Sequence, residues 1–344
     1  MPDPVTPQEG KAYSQSQVEA VLAAPSLTNL GVGHMQWHTI SSFPTSRLTS
    51  LECWTEIHMG ELASLGATCR ELKVMKIVVP NSTNQTSVGQ PAVFPSLESP
   101  DIQSNLSDPS VLLSRMSCPS LIDFAFAAII SRAPDSRPTD AFVASLIAFV
   151  RSSRRTLRSF TLSIPHGILP SDHGWLRELL LLSTSVKFFN FTMSFKSHEV
   201  DIPPTSALYH LWSLLTIPSF TEGSVLLPHL DTVKMRVENW TYAVNDGDHP
   251  GDLSRDIIDR FVRMAESRSR VAVPLHVATL RCAELIFFRT TQMKDPREEN
   301  AVQRAMAGEL DRRREVLVDS GMNFTIEEVL NLRRRWLLCG GSFF

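Results

Sequence analysis

Apolar residues recur along the chain with a fixed internal spacing, in which one apolar residue is followed by others three and five positions later. The pattern is met nine times in chain order, and the first five occurrences begin at nearly constant intervals. Only the fourth has an unusual residue at its middle position, Pro100, which predicts a distorted strand there. The nine segments are 27–32, 48–53, 72–77, 97–102, 121–126, 157–162, 186–191, 230–235 and 277–282.

The spacing within each segment is typical of a short strand whose fourth and sixth residues lie on one face, while the first enters from the preceding turn. A single strand of this kind cannot bury three apolar side chains by itself. Strands stacked in parallel form a continuous core, which is the arrangement of leucine-rich repeats. Chance clustering of leucine explains a few such matches, whereas nine in chain order favour a repeat.

Parallel strands need a return path, and segments with helical spacing of apolar residues lie between the later strands. Asp140 is a plausible N-cap of the first of them, and arginines lie opposite the apolar face of the last. The predicted fold class is α/β, a curved leucine-rich-repeat-like solenoid with the parallel sheet on its concave side and helices on its convex side. The four predicted helices are 140–153, 172–185, 205–215 and 253–267.

The solenoid is expected to occupy residues 17–295 with about nine repeats, after a disordered tail at 1–16. Residues 296–344 are expected to form a C-terminal cap, with a charged helix at 296–319, a last strand around Phe324 and Ile326, and a tail. Polar, turn-rich stretches are predicted to project from the stack as loops. These stretches are 79–95, 131–140 and 241–252.

Four stretches of the chain resemble the leucine-rich-repeat part of the F-box proteins that mushroom-type fungi carry in large numbers. They read "PSLIDFAFA", "RTLRSFTLSI", "LPHLDTVKMRV" and "EVLVDSGMNFTI", and the resemblance spans roughly residues 18–330. It implies a substrate receptor of a cullin-RING (SCF) ubiquitin ligase, whose repeats hold the target. The alternative is a stand-alone leucine-rich-repeat scaffold without a ubiquitin role.

Two features of the chain depart from that family. The F-box itself, a module of three short helices that binds the adaptor Skp1, has no counterpart in residues 1–16, so Skp1 is expected as a partner only if an F-box lies upstream. The asparagine that many leucine-rich repeats carry at their ninth position occurs once in nine segments, at Asn105. The stack is therefore expected to be less regular than in typical members.

Binding is expected on the face of the sheet that points away from the core, where the third, fifth and seventh residues of each segment lie. The functional interpretation is a polarised surface whose basic end meets an acidic or phosphorylated partner segment. The alternative is that a loop covers the aromatic residues and that the charged side chains are only solvated. The predicted partner-binding residues are Trp54, Lys76, Phe188, Lys234, Arg236 and Arg281.

Charge and cysteine usage narrow the class of protein. A net charge of -3 gives no general attraction to nucleic acid or to an anionic membrane. Five cysteines at irregular spacing suggest neither disulfides nor a zinc site, so a cytoplasmic or nuclear location is expected. Cys53 and Cys282 are predicted to point inward at the sixth segment position, and Cys69 and Cys118 to share a packing position three residues before a segment.

No catalytic motif is recognisable, so a non-catalytic binding protein is expected, with no cofactor and no metal. His34 and His38 have no acid or cysteine nearby in sequence to complete a metal site, and loop histidines are the favoured interpretation. The acidic stretch 245–252 lacks the spacing of a calcium loop. The expected partner is an unidentified protein target, neither nucleic acid nor membrane.

Overall fold

The structure is a computed structural model that describes residues 27–33, 45–80, 90–106, 108–129, 139–153, 156–165, 174–194, 205–217, 225–241, 250–269, 280–290, 315, 317–318 and 322–330. Twelve strands lie in these residues. They are β1 (Asn29–Val32), β2 (Ser50–Glu56), β3 (Val74–Val79), β4 (Ala92–Val93), β5 (Ser99–Ser104), β6 (Met116–Ser117), β7 (Asp123–Ala128), β8 (Ser159–Pro165), β9 (Phe188–Ser194), β10 (Thr232–Thr241), β11 (Cys282–Thr290) and β12 (Asn323–Leu330).

Six α-helices lie between the strands of the described ranges, and the four predicted from apolar spacing are among them. Asp140 is not the cap, because its helix already begins at Thr139 and Asp140 lies in the first turn. The first two helices were not predicted, although the first buries Met59, Leu62 and Leu65. The helices are α1 (Met59–Thr68), α2 (Ser110–Arg115), α3 (Thr139–Ser152), α4 (Gly174–Leu182), α5 (Thr205–Leu215) and α6 (Pro250–Ser269), with a 3₁₀ turn at Thr45–Arg47.

Ten of the strands form one sheet in the order β1-β2-β3-β5-β7-β8-β9-β10-β11-β12, and every neighbouring pair is parallel. Apart from the separate two-stranded sheet of β4 and β6, the order of strands in space is their order in the chain. The predicted α/β class with a parallel sheet is therefore confirmed. The strand predicted around Phe324 is also present, as β12.

The local reason for these strands is the alternation of buried and outward residues. In β7 and β8 the residues at the fourth and sixth segment positions are buried, and those between them are partly or fully exposed. Phenylalanines at these positions contact one another across strands: the rings of Phe124 and Phe160 stack at 5.8 Å, and those of Phe160 and Phe189 lie 5.9 Å apart. The first residues of the segments, such as Leu121 and Leu157, are also buried in this core.

A ladder of backbone hydrogen bonds aligns the strands at the end where they begin. The carbonyl oxygen of Thr28 accepts bonds from the N–H groups of Thr49 (2.8 Å) and Ser50 (3.1 Å) on the next strand. The same double acceptance recurs at each step of the sheet from β1 to β11. The register of one unit on the next is therefore set at equivalent positions, which keeps the buried residues of neighbouring strands level.

The ninth segment was placed three residues too early. Cys282 pairs with Thr232, so Leu280 and not Val277 occupies the first position of this unit. Ala283 and Leu285 are the buried residues of β11, and Cys282 is half-exposed on the opposite face, where the prediction had it inward. Both phases satisfy the same apolar spacing, so only pairing with β10 distinguishes them.

Pro100 does not distort its strand. β5 pairs with β3 from Ser99 onward without a register shift, and its pairing with β7 begins at Asp101. Proline lacks only the N–H group, so the expected consequence is one missing hydrogen bond and not a bulge. Its ring is buried among the core side chains like the other residues at this position.

Part of the stretch 79–95 was wrongly predicted as a loop. Ala92 and Val93 form β4, and Phe94 is fully buried in the core. Ala92 and Phe94 bury their side chains while the side chain of Val93 between them is exposed, and the backbone of Val93 lies close to Gly66 of α1. The predictions for residues 1–16, for most of 296–319 and for most of 131–140 and 241–252 lie outside the described residues.

Candidate functional site

The candidate site is the outward face of the ten-stranded sheet, defined here as the strand side chains that alternate with the buried ones. Its centre carries small and polar side chains together with the ring of Phe188, and these are half-buried except for Thr192, which is buried. A face of this composition offers hydroxyl and amide side chains to a partner. The other central residues are Ala125, Ala127, Ser159, Thr161, Ser163, Asn190 and Thr192.

Five of the six predicted binding residues lie on this face. Trp54 is 48% exposed, which makes it one of the large hydrophobic side chains most open to solvent among the described residues. Lys76, Phe188 and Lys234 are half-buried, and Arg236 is exposed. The alternation of strand residues places these five on the outward face. Whether they bind a partner stays a prediction.

Trp54 projects from a β-bulge. Cys53 pairs with Ile77 and the next pair is Glu56 with Val78, so two residues of β2 stand opposite no residue of β3. The indole N–H of Trp54 donates a 3.0 Å hydrogen bond to Oε1 of Glu52. A bulge re-aims the side chain that it carries, and here the hydrogen bond also fixes the orientation of the ring.

Several acidic side chains lie at the same end of the face as this tryptophan. Glu52, Lys76 and Asp101 stand side by side on β2, β3 and β5. Burial raises the pKa of Asp101, and nearby Glu52 raises it further while Lys76 lowers it. Burial also raises the pKa of Asp123 on β7, with a smaller contribution from Glu98. The charged forms of these two aspartates are therefore less favourable here than in water.

At the far end of the face the predicted basic residue Lys234 is paired. Its Nζ lies 2.5 Å from Oε2 of Glu284 on the neighbouring strand, and both side chains are partly exposed. The hydrogen bond that Lys234 donates to Glu284 raises the pKa of Lys234. Sequence reasoning missed Glu284 because the ninth segment was out of phase; its alternation with Ala283 and Leu285 is the signal that would have identified it.

Arg281 is not a residue of the outward face, contrary to the prediction. It precedes β11 at the end where the strands begin, and its side chain is 81% exposed. Its Nε lies 3.2 Å from Oδ1 of Asp231, the equivalent residue of the preceding unit. The physical reason is again the phase of the ninth unit, in which Arg281 is the second residue and not the fifth.

Three of the cysteines pack in the core, as predicted. Cys53, Cys69 and Cys118 are buried, and the carbonyls of Cys69 and Cys118 accept the turn bonds that lead into Leu72 and Leu121. Burial raises the pKa of Cys118 to about 12 and also raises that of Cys69. A thiolate is disfavoured at both positions, which suits packing and not nucleophilic chemistry.

Arg268 is a buried charged residue that the sequence did not reveal. Its guanidinium donates to the carbonyl oxygens of Leu215 (2.5 Å), Leu226 (2.6 Å) and Leu227 (3.2 Å), and its own carbonyl accepts from Leu280. Burial lowers its pKa to about 10, so the group stays charged at neutral pH. It joins the end of α5 to the turn before β10, where Leu227 has a positive φ of 49°.

The helix side of the molecule contains a groove between α3 and α4. Val143 and Ile147 form an apolar wall, and an ion pair between Arg151 and Glu178 (2.8 Å) connects the two helices. The indole nitrogen of Trp175 is buried there without a hydrogen-bond partner. An apolar wall and an exposed ion pair do not define a class of ligand, so we assign none.

Within the described ranges, no three histidine, cysteine or acidic side chains come together as a metal site would require. None of the helices in the same ranges has both the length and the apolar character that crossing a bilayer demands. The outward face is thus the feature of the described structure on which a functional argument can be built. No protein-family model matches this chain, and a search of curated proteins finds no match to it.

Proposed function

We propose that this chain is a leucine-rich-repeat-like solenoid, a non-catalytic binding protein that holds a segment of another protein on its outward face. The observation that carries the proposal is the strand order: the units of the main sheet follow one another in space as they do in the chain, with equivalent residues in register. Stacks of this kind use their extended sheet surface for binding.

The composition of the outward face supports a binding role. Its centre is rich in hydroxyl side chains, and the exposed Trp54 lies on a β-bulge at one end. Tryptophan is enriched among the residues that carry most of the energy of protein interfaces. An exposed side chain of this size adds nothing to the core, so a partner is its most direct explanation.

We further propose that the target-holding role belongs to an F-box-type receptor of an SCF ubiquitin ligase, on the resemblance of four stretches of the chain to that family. In such a receptor the repeats bind the target while an F-box binds Skp1. The competing proposal, a stand-alone scaffold, uses the same face without Skp1. Co-elution of Skp1 with the protein purified from its native cell distinguishes the two, because a scaffold would elute without it.

Site-specific photo-cross-linking tests the binding face. A photo-reactive amino acid replaces Ser163 at the centre of the face or, as the matched control, Leu181, which is exposed on α4 on the helix side. We expect a native-cell partner to be cross-linked through position 163 and not through position 181. Equal labelling from both positions, or labelling from the helix side alone, would refute the assignment of the face.

A further inference from the structure

The two ends of the outward face differ in how their charges are compensated. On β10 and β11 the base Lys234 has an acid beside it, Glu284, at hydrogen-bond distance. On β2, β5 and β7 the acids Glu56, Asp101 and Asp123 form no ion pair with any residue of the described ranges. Among the described residues of the face, the acids without an ion pair therefore lie at its first end.

The number of charged residues at this end also indicates a negative surface. Along β1, β2, β3, β5 and β7 the described outward residues include four acids and one base. Lys76 stands between Glu52 and Asp101 in a single row, so even this row keeps a net negative charge. We call the four acids, Lys76 and Trp54 together the acidic surface. They are Glu52, Trp54, Glu56, Lys76, Asp101 and Asp123.

The acidic surface also has an aromatic element that a cation can contact. Trp54 is half-exposed on a bulge, and its N–H donates to Glu52, so the ring is fixed beside a carboxylate. A cation over an indole ring is attracted by the ring electrons. The planar guanidinium of arginine both stacks on such a ring and bonds a carboxylate through two N–H groups, which the ammonium of lysine cannot do.

We propose that the acidic surface binds an arginine-containing, extended segment of a partner protein, with one arginine on Trp54 and others on Asp101 and Asp123. This inference rests on the proposed function and names the chemistry of the partner. Three strand spacings separate β2 from β7, a distance of roughly 15 Å. An extended peptide covers that distance in about five residues, so arginines at alternate positions match the acids of the surface.

The affinity of a labelled peptide tests the proposal. The probe is a fluorescein-labelled peptide of alternating arginine and serine, and the matched peptides carry lysine or glutamate in place of arginine. Binding to the full chain is followed by fluorescence anisotropy. We expect the arginine peptide to bind best, the lysine peptide more weakly and the glutamate peptide not at all.

Variants of the protein test whether the peptide binds at the acidic surface. We expect Trp54→Ala to weaken binding about fivefold, from the loss of one cation–aromatic contact. The triple variant Glu56→Gln, Asp101→Asn, Asp123→Asn is expected to weaken it about tenfold. A control triple, Glu71→Gln, Asp140→Asn, Glu315→Gln, removes three exposed acids away from the face and should change affinity less than about twofold.

The outcomes separate the two proposals. The proposal of an arginine-containing ligand is wrong if the native chain does not bind the arginine peptide. It is also wrong if both triple variants weaken the affinity for that peptide equally. Preference for the glutamate peptide would also contradict the arginine-containing ligand, while the proposal that the outward face binds a partner would stand. The cross-linking at position 163 tests that surface independently of charge. Thermal unfolding of each variant, followed by circular dichroism, confirms that a lost affinity does not reflect a lost fold.

Discussion

The two sides of the same strands have opposite characters. On the core side, Phe124, Phe160 and Phe189 stand level on consecutive strands and contact one another, and each is almost completely buried. On the outward side, the neighbouring residues Asp123 and Ser159 share no chemistry. Residues that pack must fit their neighbours, whereas residues that face outward are free to vary. The comparison indicates that stability is concentrated on the core side of the sheet, which leaves the outward side available for the binding that we propose.

The largest expected effect comes from breaking the core side. Phe160→Ala should lower the free energy of unfolding by about 4 kcal/mol, since it removes a ring that contacts two neighbouring rings and leaves a cavity. The adjacent outward change Thr161→Ala should cost less than about 0.5 kcal/mol. Urea denaturation of both variants measures the difference. Similar losses for the two would contradict the division between the faces.

The second largest loss of stability is expected when the buried Arg268 is replaced. Arg268→Met should cost about 3 kcal/mol, because three buried carbonyl oxygens lose their donor. Arg263→Met on the exposed side of the same helix serves as the control and should cost far less. The measurement is again urea denaturation. A neutral Arg268→Met would mean that water or backbone movement replaces the guanidinium.

A smaller effect is expected for the ion pair on the outward side. The coupling energy between Lys234 and Glu284 should be below about 1 kcal/mol, since both side chains are partly exposed to water. A double-mutant cycle with Lys234→Met and Glu284→Gln, followed by thermal unfolding, gives this value. It should fall further in high salt. A coupling several times larger would make this pair a structural element comparable to the core.

The smallest effect has the opposite sign. Burial raises the pKa of Asp101. Between the usual pKa of the group and this raised pKa, the folded chain therefore binds more protons than the unfolded chain. Ionised Asp101 is therefore unfavourable at neutral pH, and Asp101→Asn should slightly raise the unfolding temperature at pH 7. The gain should vanish at a pH below the usual pKa, where the carboxyl is neutral in both states. A loss of stability at pH 7 would show that its attraction to Lys76 outweighs the burial.

Much of the fold is predictable from local spacing. The first eight predicted segments overlap strands of the main sheet. They could be predicted because the alternation of buried and outward residues is a property of each strand alone. Helices α3 to α6 follow for the same reason, each having an apolar stripe. Helix α2 was missed because six residues are too few to show a period, whereas the spacing of Met59, Leu62 and Leu65 in α1 was present in the sequence and was overlooked.

The candidate site was predicted in part. Trp54, Lys76, Phe188, Lys234 and Arg236 lie on the predicted face because the parity of a strand residue follows from its segment. Their partners did not follow, because pairing joins residues that are distant in the chain. Glu284, fifty residues beyond Lys234, is the clearest example.

The amino-acid sequence by itself determined which side of each strand is apolar and that the strands recur in order, because these properties depend on residues a few positions apart. The tertiary structure alone decided the phase of the ninth unit, the burial of Arg268 and the compensation of charge at one end of the outward face. Each of these depends on contacts between neighbouring units. Local spacing contains no information on how such units align, so only their packing could decide it.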